Sequence, residues 1–135
     1  MRVLLDTNVI LDFVLSRQPF FTEADEIFVK LQNSEFEAYV SAITPINVFY
    51  TTRKEKGKAT AFSAVEELLK LVRITKSNNH IFQNALLVAF NDYEYAVQHE
   101  CASAENPDAV VTRNVKDYQN ASIKIYSPDE FLQIL

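Results

Sequence analysis

Short apolar runs alternate with amphipathic stretches along the whole chain. The runs Val3–Leu5, Ala38–Val40, Val72–Ile74, Ala109–Thr112 and Ile123–Tyr126 read as short strands. Between them the apolar positions recur at helical spacing. Thr7 and Asn8 cap a helix reaching Leu15. In Phe21–Leu31, Ile27, Phe28 and Leu31 share one face. A third helix runs from a Ser41 cap to about Lys54, with Pro45 in its first turn, where a missing N–H costs little. Ala59–Leu71 is amphipathic through Phe62, Val65, Leu68 and Leu69. Asn79–Phe90 and Asp92–Ala102 are helices separated by Asn91. Ser127-Pro128-Asp129-Glu130 carries the cap–Pro–acid–acid signature of a helix start. The only glycine, Gly57, marks a turn between helices. Strands alternating with helices predict an α/β domain with a mostly parallel sheet.

Composition narrows the picture. With 135 residues, 48% of them hydrophobic, the chain suits one domain over 1–135 with a real core. Ten Phe and six Tyr, with only 23% charged residues, disfavour disorder. One cysteine, Cys101, rules out a disulfide scaffold and reads as a small buried residue. His80 and His99 read as surface or boundary residues. No apolar run approaches the roughly 20 residues of a membrane span. The N-terminal stretch is interrupted by Asp6 and Asp12 and is followed by no small-residue cleavage site, so it is not a signal peptide. The expectation is a soluble, cytoplasmic protein. A net charge of −5 disfavours a passive nucleic-acid coat but not an enzyme that acts on nucleic acid through a metal.

In an open parallel sheet, sites form beyond the carboxyl ends of the strands. The first strand ends in Asp6-Thr7-Asn8. The strand at 109–112 ends in Thr112-Arg113-Asn114, with Lys116-Asp117 just beyond. Neither histidine falls near a strand end, so no Ser–His pair is suggested. One glycine cannot build a phosphate loop. Carboxylates and amide oxygens are hard ligands that suit Mg²⁺ or Mn²⁺, and phosphodiester hydrolysis is the chemistry that most needs them. Each acid also has a plainer role. Asp6 and Asp92 can be helix N-caps, Glu94 a solvated first-turn acid, and Asp108 a turn residue at the other end of the sheet. Asn47 can be an ordinary polar helix position. Phe90, Tyr93 and Tyr95 read as core.

Taken in order, the segments resemble the PIN-domain family. The carriers are "VLLDTNVILDF" at 3–13, "VSAITPINVFYTTRK" at 40–54, "NDYEYAVQHECA" at 91–102 and "DAVVTRNVKDY" at 108–118. "YSPDEFL" at 126–132 fits the ending of a bacterial subgroup. The resemblance implies a three-layer α/β/α fold and Mg²⁺- or Mn²⁺-dependent ribonuclease activity. It also implies RNA as substrate, a possible antitoxin protein as partner and a possible homodimer. Carried onto this chain, Asp6 is the first metal-binding carboxylate, with Thr7 and Asn8 beside it. Thr112 supports the site through its hydroxyl, Asn114 stands where many members have a metal-binding Asp, and Asp117 is the accompanying acid. Asn47 stands where the family usually has Glu, and Tyr95 where it has Asp, so Asp92 or Glu94 is left to supply a carboxylate from that turn. Arg113, Arg53 and Lys54 are the candidate phosphate contacts. The alternative is a PIN-like module that binds RNA or a protein without cutting. A third reading is a structural dimer that docks a partner helix through exposed Phe and Tyr residues.

Overall fold

Val3, Leu4 and Leu5 are all fully buried, although successive strand residues point to opposite faces. Both faces of this strand are therefore covered, as in a parallel sheet flanked by helices. The computed structural model describes residues 1–135. Its elements are β1 (Arg2–Leu5), α1 (Thr7–Val14), α2 (Phe21–Gln32), β2 (Glu37–Val40), α3 (Ile43–Lys56), α4 (Lys58–Leu71), β3 (Val72–Ile74), α5 (Asn79–Ala85), α6 (Tyr93–Ala104), β4 (Ala109–Val111), a 3₁₀ turn at Val115–Tyr118, β5 (Ile125–Tyr126) and α7 (Pro128–Ile134). The strands lie in the order β3-β2-β1-β4-β5 and every pairing is parallel.

Alternation along the strands divides the core in two. Val3, Leu5, Val40 and Val111 join residues of α1, α2, α3, α4 and α7 on one side. Leu4 and Val110 join Ile81 and Ala85 of α5 and Ala96, Val97 and Cys101 of α6 on the other. The result is three layers, α/β/α, with the sheet in the middle. The order places β1 next to β4, so the chain leaves these neighbouring strands in opposite directions across the sheet. Crevices at such reversals, beyond the strands' carboxyl ends, are where open sheets bind ligands.

Local signals account for most element ends. Gly57 joins α3 to α4 at φ 88° and ψ 170°, a conformation in which a side chain is strained. Ser127 and Glu130 form a complete capping box on α7, with Pro128 in its first turn. Pro45 lies in the first turn of α3, as expected. Ser41, however, does not cap that helix; the residue before its first turn is Ala42, already in helical conformation.

Three further expectations are corrected. The helix from Asn79 ends at Ala85, not Phe90. Leu86 and Leu87 donate three residues back, to Gln83 and Asn84, which tightens and closes the last turn. The chain then turns so that Phe90 packs on His99 and Tyr118. On α4 the fully buried residues are Ala61 and Leu68, whereas Phe62 and Leu69 are exposed. Phe62 packs on Phe49 of α3 instead of entering the core. His99 is buried, not at the surface or its boundary. Its Nε2 accepts from the Ser122 backbone N–H at 3.1 Å, and its Nδ1 lies 2.7 Å from Glu100.

Candidate active site

Asp6 ends β1 with only 2% of its surface exposed. It occupies the N-cap position of α1, yet its side chain makes no cap bond. The carboxylate is held from three other elements. Gln98 of α6 donates to Oδ1 at 3.0 Å. The Thr112 hydroxyl, just past β4, donates to Oδ2 at 2.7 Å, and the Asn8 amide donates to the same oxygen at 3.2 Å. Burial pushes the Asp6 carboxyl above its usual range, against the bonds from Thr112 and Gln98, which pull it down.

The same rim collects the other polar groups. Asn8 also accepts from the Arg113 backbone N–H at 3.2 Å, which ties α1 to the end of β4. Thr7 meets Thr44 of α3 hydroxyl to hydroxyl at 2.8 Å. One turn further along α3, Asn47 reaches Glu94 of α6 at 3.4 Å. Glu94 is also raised, first by burial and then by the negative charges of Asp6 and Asp92. Asn114 donates its backbone N–H to the Thr112 hydroxyl at 3.0 Å, and its side chain meets the Tyr95 hydroxyl at 2.6 Å. Burial raises the Tyr95 phenol, and Asp6, Asp117 and Asp92 add to the effect. Asp117 is exposed on the 3₁₀ turn, and its negative charge is felt by the Tyr95 phenol. Thus Asp6, Thr7, Asn8, Asn47, Glu94, Thr112, Asn114 and Asp117 all gather at the carboxyl ends of β1 and β4.

Several expected residues sit differently. Asp92 caps α6, accepting from the backbone N–H groups of Glu94 and Tyr95 at 2.9 and 3.3 Å through Oδ1. Arg113 does not point its charge into the site. Its guanidinium makes two bonds to Asp12, at 2.7 and 3.2 Å, and lies 3.9 Å from the Phe20 ring. Asp12 is buried and needs that countercharge. Arg53 and Lys54 are exposed in the last turn of α3, where cations complement the helix dipole. They lie about 9 Å further along the helix axis than Asn47. Tyr95 is half-buried, packing against the edge of the core with its ring 5.2 Å from Tyr118 while its hydroxyl reaches the site. Asp108 has the plain role: it accepts from the Arg2 backbone N–H at 2.8 Å, at the opposite end of the sheet.

Two residues were not legible as site members. Gln98 is fully buried, and its amide oxygen finds no protein partner. The buried Tyr118 hydroxyl stands close to Asp6, and burial together with the Asp6 charge raises it well above the ordinary phenol range. The available signal for Gln98 was its spacing, one turn after Glu94 on the same helix face.

No three acidic, histidine or cysteine side chains converge into a ready-made cation cage. The donor set is nevertheless hard: two neighbouring carboxylates, Asp6 and Glu94, and the amide groups of Asn47 and Asn114. It fits Mg²⁺ or Mn²⁺ held by one or two carboxylates, with water and substrate phosphate completing the shell. It does not fit an ion bound by protein groups alone.

The family model of the PIN domain matches residues 2–116. No curated protein sequence matches the chain at a significant level. Solved structures share its fold. VapBC2 from Rickettsia felis, bound to a promoter DNA fragment, aligns with a TM-score of 0.70 and 16% identity, covering 94% of this chain and 98% of that one. VapBC-1 from nontypeable Haemophilus influenzae gives 0.68 and 19%, covering 96% and 99%. The Mycobacterium tuberculosis VapC20, a toxin that cleaves the sarcin-ricin loop, gives 0.70 and 10%, covering 90% and 98%.

Proposed function

This chain belongs to the PIN-domain family, and on that footing we propose that it is a divalent-metal-dependent endoribonuclease of the toxin–antitoxin type. The observation that carries the reading is the pairing of Asp6 with Glu94 in the crevice beyond β1 and β4. Both carboxyls are pushed up by burial, and the charge of Asp6 raises Glu94 further. Two like charges brought together this way favour a cation between them.

Asp6 and Glu94 would hold the ion, with the amide oxygens of Asn47 and Asn114 and the carboxylate of Asp117 available at the rim. When bound, Mg²⁺ or Mn²⁺ neutralises the phosphodiester and activates the attacking water. Thr112 and Asn8 keep the Asp6 carboxylate turned towards the crevice. Thr7, through Thr44, holds the start of α3 so that Asn47 reaches the site. Asp92 fixes the first turn of α6, which carries Glu94. Arg53 and Lys54 track the RNA backbone outside the crevice. Arg113 is assigned no phosphate, because Asp12 already takes its charge.

An antitoxin protein is the proposed partner, since several structures of the same fold are toxin–antitoxin complexes. A homodimer is proposed from the aromatic face of Phe49, Tyr50 and Phe62 on α3 and α4, where Tyr50 and Phe62 are exposed. No helix is long and apolar enough to cross a membrane; we place the protein in the cytoplasm.

The second reading, recognition without cleavage, draws on Asn47 and Tyr95 and on the missing third acid. One experiment separates the two. Mn²⁺ is titrated calorimetrically into wild type and Asp6→Ala, with unstructured RNA incubated in parallel. The nuclease reading expects binding that Asp6→Ala abolishes, together with Mn²⁺-dependent cleavage. A well-folded wild type that neither binds Mn²⁺ nor cuts RNA establishes the binding module.

A further inference from the structure

We propose that Gln98 is a positioning residue for the metal-binding carboxylate, the group that sets how Asp6 faces the crevice and how far from it Glu94 stands. This deepens the nuclease reading and rests on it.

Side-chain donors divide unequally between the two oxygens of Asp6. Thr112 and Asn8 both bond Oδ2. Gln98 is the one side chain on Oδ1. The Thr7 and Asn8 backbone N–H groups also favour the Asp6 charge, and a side-chain donor on the second oxygen restrains the carboxylate's plane. The Gln98 amide faces Asp6 through its NH₂, the orientation that a metal-binding carboxylate requires, because in its ionised form it only accepts.

That orientation carries a cost. The amide oxygen of Gln98 is left without a protein partner at a fully buried position. A buried acceptor with no partner destabilises a fold. An apolar residue of similar volume would fill this place beside Ala102 and Cys101 without the penalty. The bond to Asp6 is the one polar contact that Gln98 makes in return.

Helix geometry supplies the second effect. Glu94 and Gln98 are four residues apart and stand on one face of α6. The two residues are anchored at both ends of that stretch: Asp92 caps the helix before Glu94, and Gln98 grips β1 after it. The bond to Asp6 spans 92 residues of sequence and is the side-chain link between α6 and the end of β1. It therefore sets the spacing of the two carboxylates as well as the plane of one. Outer groups of this kind typically alter metal affinity 10- to 100-fold when removed.

The test uses the full chain with Gln98→Met, which keeps length and volume but has no N–H, and Gln98→Leu as a second apolar replacement. Mn²⁺ affinity is measured by calorimetry, and the melting temperature in EDTA is recorded for each protein. The assignment expects Mn²⁺ binding about 10-fold weaker in both variants, whichever way the melting temperature in EDTA moves. A purely structural role would move the melting temperature and leave the Mn²⁺ affinity alone. Equal Mn²⁺ binding by wild type and either folded variant overturns the assignment while the nuclease reading stands. No Mn²⁺ binding by wild type overturns both.

Discussion

Asp6 sits in a site that resists ionisation, because burial holds its carboxyl above the usual range. The sign of its contribution follows from linkage. Burial raises its folded pKa above the ordinary value of about 3.9. Above that ordinary value the unfolded chain has released the proton, and the folded chain must release it at a cost. Stability therefore falls as pH rises through the interval between the two values, and the full penalty remains above it. Asp6→Asn removes the charge and lets the Gln98 amide turn so that its orphaned oxygen accepts from the new amide. In EDTA at neutral pH the variant is expected to melt about 2–4 °C above wild type. The gain should fade as pH drops to about 4. A variant that melts lower than wild type throughout that range would contradict this account. At this scale the sequence disclosed the residues whose place follows from strand ends: Asp6, Asn8, Thr112 and Asn114. It did not disclose Gln98, because a glutamine in mid-helix carries no mark of which face meets protein. It also placed His99 at the surface or its boundary, whereas the residue is buried with the Ser122 backbone N–H on its ring.

Elements were legible to the extent that their ends are written locally. The Ser127 box and the turn at Gly57 appear where the residues demand them. Asp92 is the instructive case, because a cap and a metal ligand look alike in sequence. In the fold its Oδ1 serves two backbone N–H groups at the start of α6. Asp92→Ala should therefore lower stability by about 1 kcal/mol in urea denaturation, and Asp92→Asn should retain most of it, since Asn caps as well as Asp. Equal losses in both variants would show that the charge, not the cap, is what matters. Where elements departed from expectation, tertiary packing was responsible. The helix from Asn79 gives way after Ala85 because Phe90 is drawn onto His99 and Tyr118. Phe62 has helical spacing suited to a core face, yet α3 offers it Phe49 at the surface.

The whole molecule is organised by the adjacency of β1 and β4. Val3, Leu4 and Leu5 pair with Ala109, Val110 and Val111, more than 100 residues later. Side chains lock the same junction: Arg113, just past β4, holds Asp12 on α1. Asp12 is 1% exposed, so Arg113→Ala leaves a buried charge without its partner. The Arg113 side chain is about a quarter exposed, which softens the loss. The expected cost is about 2–3 kcal/mol, measured by urea denaturation, with partial recovery when Asp12→Asn is added. A negligible cost would return Arg113 to the pool of free cations near the site.

By itself the sequence determined the alternation of strands and helices, the caps and turns, and the acids and amides at the strand ends, because each depends on residues within a turn or two of one another. It also carried the four segments by which the family is identified. Only the tertiary structure decided which polar groups face each other across the sheet's rim. Gln98 reaches Asp6, Asn47 reaches Glu94, and Arg113 chooses Asp12 over the crevice. The physical reason is that these contacts close over 47 to 101 residues. Their partners are set by strand order and helix packing, and no local pattern in the chain encodes them.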